Sequence, residues 1–110
     1  MTTRKLIGYC GVDSGQIMLS DPCYVKDFID DEDFEPTTGD IHPFSYNGAC
    51  GATLNNGDKL GGQLTNGYDA PVAVVVTSGY GDGVYPVYAE YNGEGRLISA
   101  TIMFDDDDEV

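Results

Sequence analysis

Two short stretches carry the side chains with the most chemical potential. The first is Asp13-Ser14-Gly15 together with Asp21-Pro22-Cys23-Tyr24, which offers two carboxylates, a hydroxyl and a thiol within a dozen residues. Proline after Asp21 restricts that aspartate to extended geometry, so its carboxylate is held in place. Cys23 as a nucleophile needs a base, and His42, beside Pro43, is the only histidine of the chain. The competing structural reading makes Asp21 the cap of a helical turn and Cys23 a small core residue. The second stretch is Tyr80-Gly81-Asp82-Gly83, followed by Tyr85, Tyr88 and Tyr91. Glycines on both sides of an acid let backbone amides line a concavity that accepts an anion, while the Asp82 carboxylate can bond a ribose, an amine or a cation. Its competing reading is a tight hairpin whose aspartate stabilises its own turn.

Other combinations fail on spacing. The nucleotide-binding loop requires a lysine and a strand-to-helix junction, and neither accompanies the Tyr80–Gly83 turn. Cys10, Cys23, Cys50 and His42 have the ligand types of a zinc site without its close paired spacing. The acidic runs Asp30-Asp31-Glu32-Asp33 and Asp105 to Asp108 lack the alternating ligands and central glycine of a calcium loop. The expectation is therefore no metal, no cofactor and no assigned catalytic residue.

The elements that must position these residues read as strands. Lys5 to Val12, Gln16 to Ser20, Ala49 to Leu54, Val72 to Thr77, Val84 to Tyr91 and Leu97 to Phe104 are rich in valine, isoleucine, threonine and tyrosine. Asn-Gly pairs at 47–48, 56–57, 66–67 and 92–93 read as hairpin turns between them. The fold class is mainly β, or β-rich α+β, as an antiparallel sheet or small sandwich or barrel. An N-terminal hairpin turns at Asp13-Ser14-Gly15, and a three-strand meander closes the chain. Val72 to Val76 is apolar without alternation and is placed centrally, covered on both faces. Ile98, Ala100, Ile102 and Phe104 should face the core. Pro86 has no amide hydrogen for a ladder, which predicts a bulge at Tyr85-Pro86. Tyr85, Val87, Ala89 and Tyr91 share one face, and Val84, Pro86, Tyr88 and Glu90 the other. Helix is expected only at Tyr24 to Ile29, for one or two turns.

With 110 residues the chain has room for one domain, assigned to 1–104, followed by an acidic tail at 105–110. From Asp30 to Asp40 it is acidic and poor in apolar residues, as in a mobile loop. Hydrophobic residues at 41% and charged ones at 22% are those of a globular protein. Nineteen acidic against five basic residues give a net charge of -14, which repels phosphate backbones and anionic membranes and suits a cation or a basic protein. Three cysteines, an odd number with no secretory segment before them, read as reduced thiols. No apolar run approaches the ~20 residues that span a bilayer. A soluble cytoplasmic protein follows.

At Val12 to Met18, Asp21-Pro22-Cys23-Tyr24 and Thr77 to Tyr88 the chain resembles a family of small uncharacterised proteins of bacteria and their phages, which carries only a domain-of-unknown-function label. The resemblance covers roughly half the chain. It implies a β-rich domain in a bacterial cytoplasm, or the host cytoplasm if phage-encoded, and no inherited catalytic role. The resulting expectation is a non-enzymatic binding protein that engages a host protein or a small nucleotide-like ligand, in an inhibitory or anti-defence role. Asp13, Ser14, Asp21, Cys23, Tyr24, Tyr80, Asp82, Tyr85 and Tyr88 are its candidate contact residues. Two alternatives stand beside it: a small hydrolase or transferase using Asp13, Asp21, Cys23 and Asp82, and a virion or assembly component, with a homo-oligomer as one form.

Overall fold

The computed structural model describes residues 1–29 and 43–105. His42, the acidic segment 30–40 expected as a mobile loop and the expected tail beyond Asp105 lie outside the described residues. The described chain is mainly β, with two antiparallel three-stranded sheets, one α-helix and two 3-10 helices. It divides into two units: residues 1–15 with 78–110, and residues 16–77.

In the first unit, β1 (Thr3–Val12) pairs with β5 (Gly83–Tyr91), and β5 with β6 (Leu97–Ile102). The long β1/β5 ladder runs from Thr3 opposite Tyr91 to Val12 opposite Gly83. Ala89 at its centre is fully buried, and Val12, Ser78 and Tyr85 are buried with it. Phe104 packs edge-on against the Tyr85 ring, 5.3 Å between centroids. In the second unit β4 (Pro71–Thr77) lies between β2 (Gln16–Ser20) and β3 (Gly61–Thr65). Its core is Phe44, Ala49, Leu64, Ala73 and Val75, flanked by Met18, Phe28, Ala52 and Val72.

The expected N-terminal hairpin does not form, since β1 and β2 join different sheets. Gly15 takes φ +71 and its carbonyl accepts the Ser78 N–H at 2.9 Å, so the Asp13–Gly15 loop carries the chain out of the first unit where it later returns. The C-terminal meander likewise reduces to the β5–β6 hairpin, because β4 pairs in the other sheet. Local turn chemistry names a reversal; it does not choose the partner strand. β4 is central as expected, but only Ala73 and Val75 are buried while Val74 remains exposed, so its apolar run covers one face rather than two.

Pro86 needs no bulge of its own. It sits opposite Tyr9 in regular register, and its carbonyl accepts the Met103 N–H at 3.1 Å. In an antiparallel ladder the nitrogen and carbonyl of one residue point to the same side. The missing proton therefore faces the β6 side, just beyond the Val87 to Ile102 pair that ends that ladder. In this sheet bulges occur instead at Ile7 and at Ile98. β6 also departs from expectation, for Ile98 and Ala100 are exposed rather than turned into a core.

Ala49 to Leu54, read as a strand, is instead the greater part of α1 (Tyr46–Leu54). Ser45 is its N-cap, and its side chain accepts the Gly48 N–H at 3.0 Å. Asn47-Gly48 thus opens a helix, and Asn56-Gly57 leads into the short 3-10 helix Gly57–Lys59. The other two Asn-Gly pairs are turns as expected. Asn66 closes the β3–β4 loop by bonding the Ala70 carbonyl and the Tyr68 N–H, and Asn92 closes the β5–β6 turn with its side chain on the Glu94 and Arg96 amides.

β3 carries no strand signal in its sequence because two of its five residues are glycine, and packing explains both. A Cβ on Gly61 would stand 2.6 Å from the Val75 carbonyl oxygen and 2.8 Å from Val76 Cγ1. One on Gly62 would meet Asn56 Nδ2 at 2.9 Å and the Ala52 Cβ at 3.3 Å.

Candidate functional site

Asp21 works as a cap. Its side chain accepts the Cys23 N–H at 2.9 Å and its carbonyl accepts the Tyr24 N–H at 2.9 Å, which starts the 3-10 helix Pro22–Asp27 with proline in its first turn. Three residues complete each turn of such a helix, so Tyr24 and Asp27 stand on one side. Cys23 is rotated away by a third of a turn and is exposed.

Tyr24 and Asp27 form one wall of a pocket of about 380 Å³ in the second unit. Phe44, 2% exposed and held edge-on by Phe28 at 5.2 Å, supplies an aromatic surface beneath them. Asn66, Ala70, Pro71 and Val72 complete the described lining from the β3–β4 loop and the start of β4. The Asn66 carbonyl oxygen is engaged by the Tyr68 N–H, which leaves its amide group as the donor end. None of the described lining residues is basic. Backbone bonds fix the floor, because Ile29 N–H donates to the Phe44 carbonyl at 3.2 Å and Tyr46 N–H to the Ile29 carbonyl at 2.8 Å. Phe44, Asn66 and Asp27 escape a search of the sequence for catalytic constellations. The signal that could have found one of them, Asp27, is its three-residue spacing from Tyr24 after a capped Asp-Pro.

The other candidates lie in the first unit. Val12 pairs with Gly83, so Asp13 and Asp82 follow it at the same end of the β1/β5 ladder, and both are exposed, as is Ser14. The glycine turn is pinned from inside: Tyr85 donates its hydroxyl to the Gly81 carbonyl at 2.7 Å, and Ser78 Oγ donates to the same oxygen. Gly79 and Gly81 take φ +72 and +88. Tyr85 is thereby a buried structural ring, whereas Tyr80 is 71% exposed and its hydroxyl reaches the Asp105 carboxylate at 3.3 Å. Tyr88 is half-buried beneath the Arg4 guanidinium, 4.1 Å from ring centroid to Cζ.

The acids and thiol named for a hydrolase are divided, with Asp13 and Asp82 in the first unit and Asp21 and Cys23 in the second. Cys10, Cys23 and Cys50 are free thiols; Cys50 is buried, and its sulfur accepts a hydrogen bond from the Gln16 amide at 3.6 Å. Among the described residues no group of three histidine, cysteine, aspartate or glutamate side chains could hold a metal ion. No helix among them is long and apolar enough to cross a membrane.

Residues 5–102 match the family described as Protein of unknown function (DUF4241), and the chain belongs to that family. No curated protein and no solved structure matches it.

Proposed function

We propose that the protein is a non-enzymatic binding protein whose second-unit pocket receives a positively charged side chain of a basic protein partner. The observation that carries this reading is the pocket's composition: one carboxylate, Asp27, beside the rings of Tyr24 and Phe44. A lysine or arginine side chain presents an alkyl stem to apolar walls and a cation to a carboxylate and ring faces. At about 380 Å³ the pocket is of the size that encloses one such group. The net charge of -14 draws basic partners toward the chain before contact. A phosphate-bearing ligand finds no basic group among the described lining residues, so the pocket favours the protein partner over the nucleotide-like one.

Titration of isotope-labelled protein with an arginine- and lysine-rich peptide, and with agmatine alone, tests the reading by NMR. Resonances of Tyr24, Asp27 and Asn66 should shift together, and Asp27→Asn should weaken binding about tenfold. Equal affinity for the peptide's neutral citrulline counterpart, or shifts confined to the first unit, would refute it.

A further inference from the structure

Among the described residues each of the two sheets ends on two strands with no further partner, and three of these four edges are guarded. β1 carries Arg4 and Lys5 and is interrupted by the bulge at Ile7. β2 and β3 have five residues each and bury Ile17 and Leu64. β6 is different. It is the edge of its sheet, and its bulge at Ile98 lies near its start and leaves Ser99 to Ile102 in regular register. It shares with β2 and β3 the lack of any charge or proline, and it alone of the four buries no residue, Leu97 being exposed by 52% and Ile98 by 49%. An uncharged apolar edge strand is a template for pairing with another chain.

The direction of its backbone groups follows from one bond. Met103 donates to the Pro86 carbonyl, so Met103, Thr101 and Ser99 turn their amides and carbonyls toward β5. Ile102 and Ala100 then point theirs away from the sheet. We propose that these outward groups pair with β6 of a second copy, antiparallel and centred on Ala100, joining two three-stranded sheets into one of six strands.

Charge selects the second copy and its direction. Arg96 stands immediately before β6, and Asp105 lies a few residues after it. Antiparallel pairing centred on Ala100 sets Ile102 of one copy against the Ile98 bulge of the other, and brings Arg96 of each copy to the Met103 to Asp105 end of its partner's strand. Two-fold symmetry makes this contact twice. A parallel arrangement would place Arg96 beside Arg96 and acid beside acid. The overall charge of -14 on each copy opposes association, and at ~0.15 M salt its reach is cut to about 8 Å. The strand itself contributes nothing to that repulsion.

Sedimentation velocity on the full chain at this ionic strength, from about 1 μM to about 1 mM, tests the proposal. The expected result is a species of twice the chain mass that dissociates on dilution. Arg96→Glu should raise the dimer dissociation constant about tenfold, since two favourable charge contacts become unfavourable. Adding Asp105→Arg to the same chain should restore it. Ala100→Pro removes an outward N–H without touching the ladder to β5 and should abolish the dimer while the far-ultraviolet circular dichroism is unchanged; if that variant fails to fold, the charge exchange decides. A monomer throughout the range, or a dimer indifferent to Arg96→Glu, overturns the proposal.

Discussion

Single residues divide sharply here between those that hold a backbone in place and those that face outward. At the glycine turn the division falls between neighbours. The Tyr85 hydroxyl bonds the Gly81 carbonyl from within, while Asp82 is exposed. Tyr85→Phe should therefore cost about 1 kcal/mol of stability, the net worth of one hydrogen bond, whereas Asp82→Ala should stay within about 0.5 kcal/mol. Urea unfolding of both variants checks the pair, and a larger loss at Asp82 would show the aspartate stabilising its own turn. Gly61→Ala makes a stronger demand, because the added carbon meets the Val75 carbonyl oxygen at 2.6 Å. Backbone cannot swing aside as a side-chain tip can, so a loss of about 1–3 kcal/mol is expected in the same assay. The sequence shows that these positions are glycine, tyrosine or aspartate. Which of them bears on a neighbour depends on strands far away in the chain, and no local pattern records that.

Elements were legible where their own residues close their own bonds. The capped Asp-Pro turn, the β5–β6 hairpin at Asn92-Gly93 and the strands β1, β2, β4 and β5 all follow from local chemistry. Helix α1 was not, because Asn47-Gly48 is a hairpin signal and α1 has no charged residue to mark a polar face. Its specification lies in the Ser45 cap and in Thr53, whose hydroxyl lies 3.1 Å from the Gln16 side-chain oxygen on β2. The candidate pocket was half legible for the same reason: Tyr24 came from its motif, while Phe44 and Asn66 arrive through tertiary structure. One element links stability to binding. Asp21→Ala removes the cap that orients Tyr24 and Asp27, so it should cost about 1 kcal/mol and weaken peptide binding together. Cys23→Ser, on the side of the helix away from the pocket lining, should change neither. Calorimetric titration beside thermal unfolding separates the two outcomes, and loss of binding in Cys23→Ser with an intact fold would point to thiol chemistry.

At the scale of the whole molecule the dominant fact is an excess of fourteen negative charges on 110 residues. Only Arg4, Lys5, Lys26, Lys59 and Arg96 oppose the 19 acidic residues, and Arg4 and Lys5 rest over the rings of Tyr88 and Tyr91. Unfolding spreads like charges apart, so self-repulsion works against the compact state and salt should relieve it. Raising sodium chloride from about 10 mM to about 300 mM shortens the screening length from about 30 Å to well under 10 Å. The unfolding midpoint should rise, by about 5 °C if the relief is near 1 kcal/mol. Screening depends on ionic strength alone, so choline chloride at the same concentration should give the same rise. A larger rise with sodium would indicate a cation held at a particular place, and a fall with either salt would mean that attractive ion pairs outweigh repulsion. The measurement belongs at low protein concentration, where pairing through β6 contributes least to the midpoint.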